Sequence, residues 1–296
     1  MPDGSRLVHP IELRMPSPLE QLEDDRLKGY GVRVLLKRDD LIHPDMPGNK
    51  WRKLRLNLEA ARTAGQQTLL TFGGAYSNHL QAVAAAGHYF GFRTIGVIRG
   101  EEHLPLNEVL ATAVRFGMRL TYLDRTSYRE KTSAAVLDRL SAEFGDCYVL
   151  PEGGSNALAV QGCTEISHEI AEPFDVICCA VGTGGTLAGI SGGLTGTQHA
   201  LGFAVLKGGA FLNDDVAALQ HAAFGTVRDN WSIETGFHCG GYARRTPELD
   251  AFIEDFERQH GITLNWVYEA KMLFGLFKLV EAGRFPRGVS IVAVLA

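Results

Sequence analysis

Two hydrophobic periods alternate along the chain. Short apolar or β-branched runs occupy residues 32–36, 68–72, 94–98, 118–123, 148–150, 176–181, 203–206 and 290–295, and each reads as a strand. Between them apolar residues recur every three or four positions. Trp51, Leu54, Leu58 and Ala61 mark one face of a helix over 49–64. The same spacing predicts helices over 78–90, 106–116, 128–144, 157–170, near Leu187, and over 247–260 and 269–282. Ser77 or Asn78 stands where an N-cap belongs. Strands separated by helices are βαβ units, which build parallel sheets through right-handed crossovers. The expected fold is therefore α/β. No long linker or internal repeat interrupts the pattern, so any domain division must be compact.

Composition adds one peculiarity. Glycine supplies 34 of 296 residues, where ordinary usage of about 7% gives roughly 21. The pairs fall at strand ends: Gly73-Gly74, Gly153-Gly154, residues 182–185 and Gly208-Gly209. In open parallel sheets those ends carry the ligand site. Hydrophobic residues at 45% and charged residues at 21% describe a globular chain, and a net charge of −5 argues against nucleic acid or an anionic membrane as partner. Five cysteines without a CxxC pair fit neither a disulfide framework nor a zinc knuckle. The first residues carry Asp3, Arg6, Glu12 and Arg14, which is no signal peptide, and the longest apolar runs, such as 291–296, are too short to span a bilayer. These features lead us to expect a reducing, cytoplasmic setting. The ten histidines contain no HExxH, and no metal site is expected.

Three segments carry candidate chemistry. Val181-Gly182-Thr183-Gly184-Gly185-Thr186 follows a strand and opens a helix. Such a turn offers backbone N–H groups to an anion, usually phosphate, although an ordinary tight turn uses the same residues. It lacks the Lys-Ser/Thr of a Walker loop and the third glycine of a dinucleotide fingerprint. Gly189-Ile190-Ser191-Gly192-Gly193 spells GxSxG, but inside a helical stretch rather than at a strand-to-helix elbow, so it is not read as a hydrolase nucleophile. In Gly48-Asn49-Lys50-Trp51-Arg52-Lys53, basic residues open a helix against its dipole. A surface lysine is the commonplace explanation. An anionic ligand would remove the conflict, and a lysine with a lowered pKa, flanked by Arg52 or Lys53, suits Schiff-base chemistry. In Gly73-Gly74-Ala75-Tyr76-Ser77-Asn78-His79, hydroxyl and amide either cap the next helix or bind a carboxylate.

These pieces occur together with Leu36-Lys37-Arg38-Asp39-Asp40-Leu41, Leu150-Pro151-Glu152-Gly153-Gly154-Ser155-Asn156, Gly241-Tyr242 and Val267-Tyr268-Glu269. In that order and spacing the chain resembles the 1-aminocyclopropane-1-carboxylate (ACC) deaminase and D-cysteine desulfhydrase family of pyridoxal 5'-phosphate (PLP) enzymes, which share the tryptophan-synthase-β type of fold. The resemblance covers nearly the whole chain. It implies two domains, each an open, mostly parallel twisted sheet with helices on both faces, and PLP in the cleft between them. Residues 1–76 and 157–296 would form the larger, PLP-binding domain, and 77–156 the smaller one closing over the cleft. Lys50 would bind the cofactor as a Schiff base and shuttle protons. Asn78 would meet the ring hydroxyl. Thr183, Gly184, Gly185 and Thr186 would hold the phosphate with Lys53 nearby. Ser77 with the backbone of Asn78 and His79 would hold the substrate carboxylate, and Tyr242 and Tyr268 would face the reacting side. A small amino-acid substrate and a homodimer are implied too.

Two signals pull the substrate in different directions. Glu269 stands where ACC deaminases carry Glu and desulfhydrases usually carry Ser or Thr to partner the pyridine nitrogen; a helix N-terminal acid would also suit the dipole. Ser77-Asn78-His79 and Arg99-Gly100-Glu101-Glu102 resemble the desulfhydrase branch. The family also continues its last strand with His-Thr-Gly-Gly or His-Leu-Gly-Gly, where this chain reads Leu295-Ala296. The expected activity is α,β-elimination on a small D-amino acid such as D-cysteine, giving pyruvate, sulfide and ammonia. The alternatives are ACC deamination to 2-oxobutyrate and ammonia, and a PLP-binding protein whose catalysis is impaired for want of that terminal loop.

Overall fold

A computed structural model describes residues 10–46 and 48–296. Among the described residues ten strands form two sheets. In chain order they are β1 (Leu19–Gln21), β2 (Arg33–Arg38), β3 (Thr68–Gly73), β4 (Arg93–Arg99), β5 (Arg119–Leu123), β6 (Tyr148–Leu150), β7 (Val176–Val181), β8 (His199–Ala204), β9 (Trp231–Glu234) and β10 (Ser290–Leu295). The larger sheet runs β1-β2-β10-β7-β8-β9, parallel except for the antiparallel β1. The smaller sheet runs β5-β4-β3-β6 and is parallel throughout. Strand β3 hydrogen-bonds to β4 and β6, so residues 68–73 lie in the smaller sheet although they precede residue 77.

Both sheets are covered on both faces, which is why their strands read as nearly continuous apolar runs. Along β10, Ile291 and Ala293 pack toward helices Pro247–His260 and Glu269–Glu281, while Val292 and Val294 pack toward Ala157–Cys163, Gly185–Gly193 and Leu212–Phe224. The smaller sheet sends Leu69 and Ile98 toward helices Lys50–Thr63, Asn78–Phe90 and Glu108–Arg115. Its other face sends Leu70, Phe72 and Val97 toward Ala134–Phe144. The α/β architecture expected from the alternating periods is thus present as two parallel sheets flanked by helices.

Departures from the expected elements are local. The helix expected over 128–144 is two, Arg125–Arg129 and Ala134–Phe144, because Asp124 caps the first and Ser133 caps the second. The one expected over 157–170 also breaks, into Ala157–Cys163 and Glu165–His168. Strand β8 starts at His199 rather than 203. Gly202 masks its beginning, yet a Cβ there would sit 2.5 Å from Val181 Cγ2, so close packing of strand on strand demands glycine. Helix Leu212–Phe224 has no clear apolar period in the sequence, because its buried stripe, Leu212, Val216 and Gln220, ends in a polar residue.

Candidate active site

Helix Lys50–Thr63 sets two lysines at its first turn, and both point into a cavity between the carboxyl ends of the two sheets. The cavity is walled by Ser77 and His79 on the side of the smaller sheet, by Gly182, Thr183, Gly184 and Thr186 after β7, and by Tyr268 and Glu269 from the start of helix Glu269–Glu281. Asn49, Gly153, Cys179 and Ala296 also line it. Most of the candidate residues from distant parts of the chain therefore meet in one place.

Hydrogen bonds show what the cavity is made to receive. Lys53 Nζ donates to Gly153 O at 3.0 Å and Ser155 Oγ at 3.2 Å, and Ser155 Oγ meets Thr183 Oγ1 at 2.6 Å. Lys50 Nζ donates to Asn49 Oδ1 at 3.0 Å, while Asn49 Nδ2 donates to Thr186 Oγ1 at 2.8 Å. Neither ammonium has a carboxylate partner among the described residues. Helix Gly185–Gly193 begins at the same spot, after Gly184 at φ +81°. A Cβ on Gly185 would lie 2.6 Å from Ser155 Oγ and 3.3 Å from Lys53 Nζ, so this turn must be bare for the lysine to reach it. Two uncompensated cations, three hydroxyls and a helix N-terminus specify an anion, and a phosphate ester fits.

The electrostatics separate the neighbouring cations. Arg52, between the two lysines in sequence, points the opposite way and is fully buried. It donates to Asp39 at 2.7 and 2.8 Å and to Glu169 at 2.8 and 2.8 Å. Lys37 donates to Glu169 at 2.6 Å, and Ser17 Oγ donates to Asp39 at 2.6 Å. Two cations and two anions cancel there, so Arg52 is structural and the charge that flanks Lys50 is that of Lys53. Burial first, and Lys53 second, push the Lys50 amine down to about 8. Lys53 is also lowered, by burial.

The cavity wall also holds a carboxyl. Glu269 Oε1 accepts from the Ala296 amide at 3.1 Å, while Oε2 is buried without a partner. Burial drives this acid up to about 7. Glu269 lines the cavity, and a buried carboxyl with one unpartnered oxygen suits a ring nitrogen. Gly48, at φ +63°, abuts Ala296, and no Cβ would fit between them. His79 is held by Thr71: that hydroxyl donates to Leu150 O at 3.0 Å and so must accept from Nε2 at 2.9 Å. Nδ1 remains as a buried acceptor without a partner, and burial together with Lys53 and Lys50 keeps the ring neutral.

Three candidates, Gly185, Asn78 and Tyr242, lie beside the cavity rather than in its wall. Asn78 lines an adjoining cleft that shares Glu269 and Ala296 with it. Tyr242 stands behind Tyr268, their hydroxyls 3.2 Å apart and their rings edge to face. Tyr268 is raised well above an ordinary phenol by burial, so it holds its proton. Sequence reading missed Asn49 and Ser155 as site residues, although both lie inside the quoted motifs. GxSxG is no elbow: Ser191 is buried in helix Gly185–Gly193, donating to Asn230 Oδ1 at 2.6 Å and accepting from Gln220. No group of three or more His, Cys, Asp or Glu among the described residues could hold a metal.

Residues 12–296 match the family described as pyridoxal-phosphate dependent enzyme. The chain belongs to that family. Within it, the chain is 30% identical over 286 residues to a bifunctional D-cysteine desulfhydrase/1-aminocyclopropane-1-carboxylate deaminase, mitochondrial, of Arabidopsis thaliana, covering 88% of this chain and 71% of that one. It is 28% identical over 289 residues to a D-cysteine desulfhydrase of Klebsiella pneumoniae, covering 91% and 88%. A crystal structure described as an ACC deaminase homologue superposes with a TM-score of 0.83 at 28% identity, covering 96% of this chain and 90% of its own. An O-ureido-L-serine synthase, at 15% identity and a TM-score of 0.68, shares the fold. Pyridoxal phosphate is the cofactor on which this family depends. No helix among the described residues is long and apolar enough to cross a membrane.

Proposed function

We propose that this enzyme is a deaminating lyase that converts a small D-amino acid such as D-cysteine, with one water, to pyruvate, sulfide and ammonia. The observation that carries the reading is the pair of lysines without counterions converging on the residue 182–186 loop, with the proton-holding phenol of Tyr268 across the cavity. When bound, PLP supplies the electron sink that makes a Cα proton removable. Thr183, Gly184, Gly185 and Thr186 would hold its phosphate, with Ser155 and Lys53 completing the cradle. Lys50 would be the residue that holds its aldehyde end, and once released as a free amine, its pKa lowered by burial to about 8, it would take the Cα proton. Ser77, with the backbone of Asn78 and His79, would hold the substrate carboxylate, and Asn78, from the adjoining cleft, would meet the ring hydroxyl. Tyr268, backed by Tyr242, carries a proton where a leaving thiolate needs one.

A second reading, ACC deamination to 2-oxobutyrate and ammonia, is favoured by one specific observation: Glu269 Oε2 is free to bind the ring nitrogen, and a carboxylate there makes a stronger sink than a hydroxyl. We further propose that residues 1–76 and 157–296 form the larger domain, with β3 lent to the sheet of the smaller domain at 77–156, and that the enzyme is a cytoplasmic homodimer. Its five cysteines are free, which suits a reducing compartment.

The test is a paired assay. The wild type should be yellow, bleach with borohydride, release sulfide from D-cysteine and form no 2-oxobutyrate from ACC. The reverse pattern supports the second reading, and a yellow protein forming neither product overturns both. A Lys50→Ala protein that retained a reducible Schiff base would remove the lysine assignment.

A further inference from the structure

Lys271 is fully buried and faces no carboxylate among the described residues. Burying an ammonium without a counterion is costly, and burial lowers this one. Its Nζ donates to two backbone carbonyls, Gly241 O at 2.7 Å and Val205 O at 3.3 Å. Gly241 immediately precedes Tyr242. The surrounding loop is forced: Cys239 at φ +48° and Ala243 at φ +50° both occupy the left-handed region that disfavours side chains, and Gly240 and Gly241 stand at +91° and +118°. Such conformations persist only where their surroundings hold them. Lys271 sits three residues after Tyr268 at the start of the same helix. One side chain thus ties the strained loop bearing Tyr242 to the helix bearing Tyr268, across the residue that follows β8.

We propose that Lys271 is a positioning residue, a clamp that sets the Tyr242 hydroxyl against that of Tyr268 and thereby shapes the reacting side of the cavity. The functional half of this inference rests on the lyase reading above; the clamp itself does not.

The experiment is Lys271→Met, which keeps the chain length and removes the donors, examined alone and with Tyr242→Phe in the PLP-loaded enzyme. Amide hydrogen exchange at Gly241 and Arg244, whose N–H groups bond to His238 O and Gly241 O, should quicken on the order of ten-fold. With D-cysteine, kcat should fall on the order of ten- to a hundred-fold, KM changing little, as for a misplaced group. In the Tyr242→Phe background the same substitution should cost no further activity. Unchanged exchange at both amides overturns the clamp. A kcat loss that persists undiminished without the Tyr242 hydroxyl overturns its action through that residue. Faster exchange in an enzyme inactive on both substrates supports the clamp and removes only the lyase reading. Should Lys271→Met fail to fold, Gly241→Ala, at φ +118°, displaces the same carbonyl; a kcat loss cancelled by Tyr242→Phe supports the proposal and an unaffected kcat overturns it.

Discussion

Replacing Arg52 by Met tests whether the buried network behind the lysines is structural. The guanidinium makes four hydrogen bonds of 2.7–2.8 Å to Asp39 and Glu169, and both it and Asp39 are fully buried. After the change Asp39 keeps only the Ser17 hydroxyl, whereas Glu169 keeps Lys37. Removing one partner of a buried pair costs about 3–5 kcal/mol, because the other charge stays behind unpaired. Against a total stability of about 5–15 kcal/mol, and at roughly 2–4 °C per kcal/mol for a domain of this size, the melting temperature should drop by roughly 6–20 °C. The pH dependence supplies a sign. Arg52 and Lys37 hold Glu169 below its ordinary value of 4.5. A depressed carboxylate stabilises above its unfolded pKa, and that contribution fades as pH falls through the folded value. The gap between wild type and Arg52→Met should therefore be widest near neutrality and shrink below pH about 4.5. Circular dichroism melts across that range measure it. A shift under about 3 °C at pH 7, or a gap that grows in acid, would refute the network as an anchor for the helix carrying Lys50 and Lys53.

Two further outcomes concern the cavity. Glu269 has the opposite sign: its pKa is raised to about 7 from 4.5, so its buried carboxyl favours folding below pH 4.5 and loses that advantage as pH rises to 7. Glu269→Gln should abolish this term, gaining about 3 kcal/mol on wild type between pH 4.5 and 7.5 in apoprotein urea titrations; parallel stability curves would show that the carboxyl is already ionised. Gly185→Ala should push Ser155 and Lys53 out of the cradle, since its Cβ would lie 2.6 and 3.3 Å from their polar atoms. PLP binding should weaken on the order of ten-fold by fluorescence titration, equivalent to about 1.4 kcal/mol and one lost phosphate contact, and undiminished affinity would place the phosphate elsewhere.

Much of this site was written locally, and some of it could not be. The residue 182–186 loop and the Lys50 segment were legible because a glycine cluster after a strand and basic residues at a helix start each conflict with ordinary packing. Sheet order was not. β10, last in the chain, inserts between β2 and β7, and nothing in its apolar run says which strands flank it. Lys53 and Arg52 look alike in sequence, yet the helical step turns one into the cavity and the other onto Asp39. The rotation could be read; the carboxylates awaiting Arg52, 13 and 117 residues away, could not. Asn49 and Ser155 stood inside motifs whose other members drew the argument. Lys271 carried no signal, because a lysine near a helix start ordinarily means solvent.

The amine and the acid of the cavity wall are electrostatically coupled, and that coupling gives the arrangement its chemical sense. Lys50 and Glu269 each lean toward the neutral form, the amine at about 8 and the acid at about 7, because burial penalises both charges. Each also steadies the other's charged form. An anion in the cradle would add negative charge beside Lys53 and oppose the like-charge push that Lys53 exerts on Lys50. A ring nitrogen placed against Glu269 Oε2 would take up the proton that the acid holds. Binding a molecule with a phosphate at one end and a basic nitrogen at the other would therefore settle three protonation states together. A phosphate alone would satisfy Lys53 and leave the raised Glu269 carboxyl without a partner for its second oxygen. The proposed PLP site requires an answer to both ends of one ligand, which a generic anion pocket built on the same glycine turn would not need.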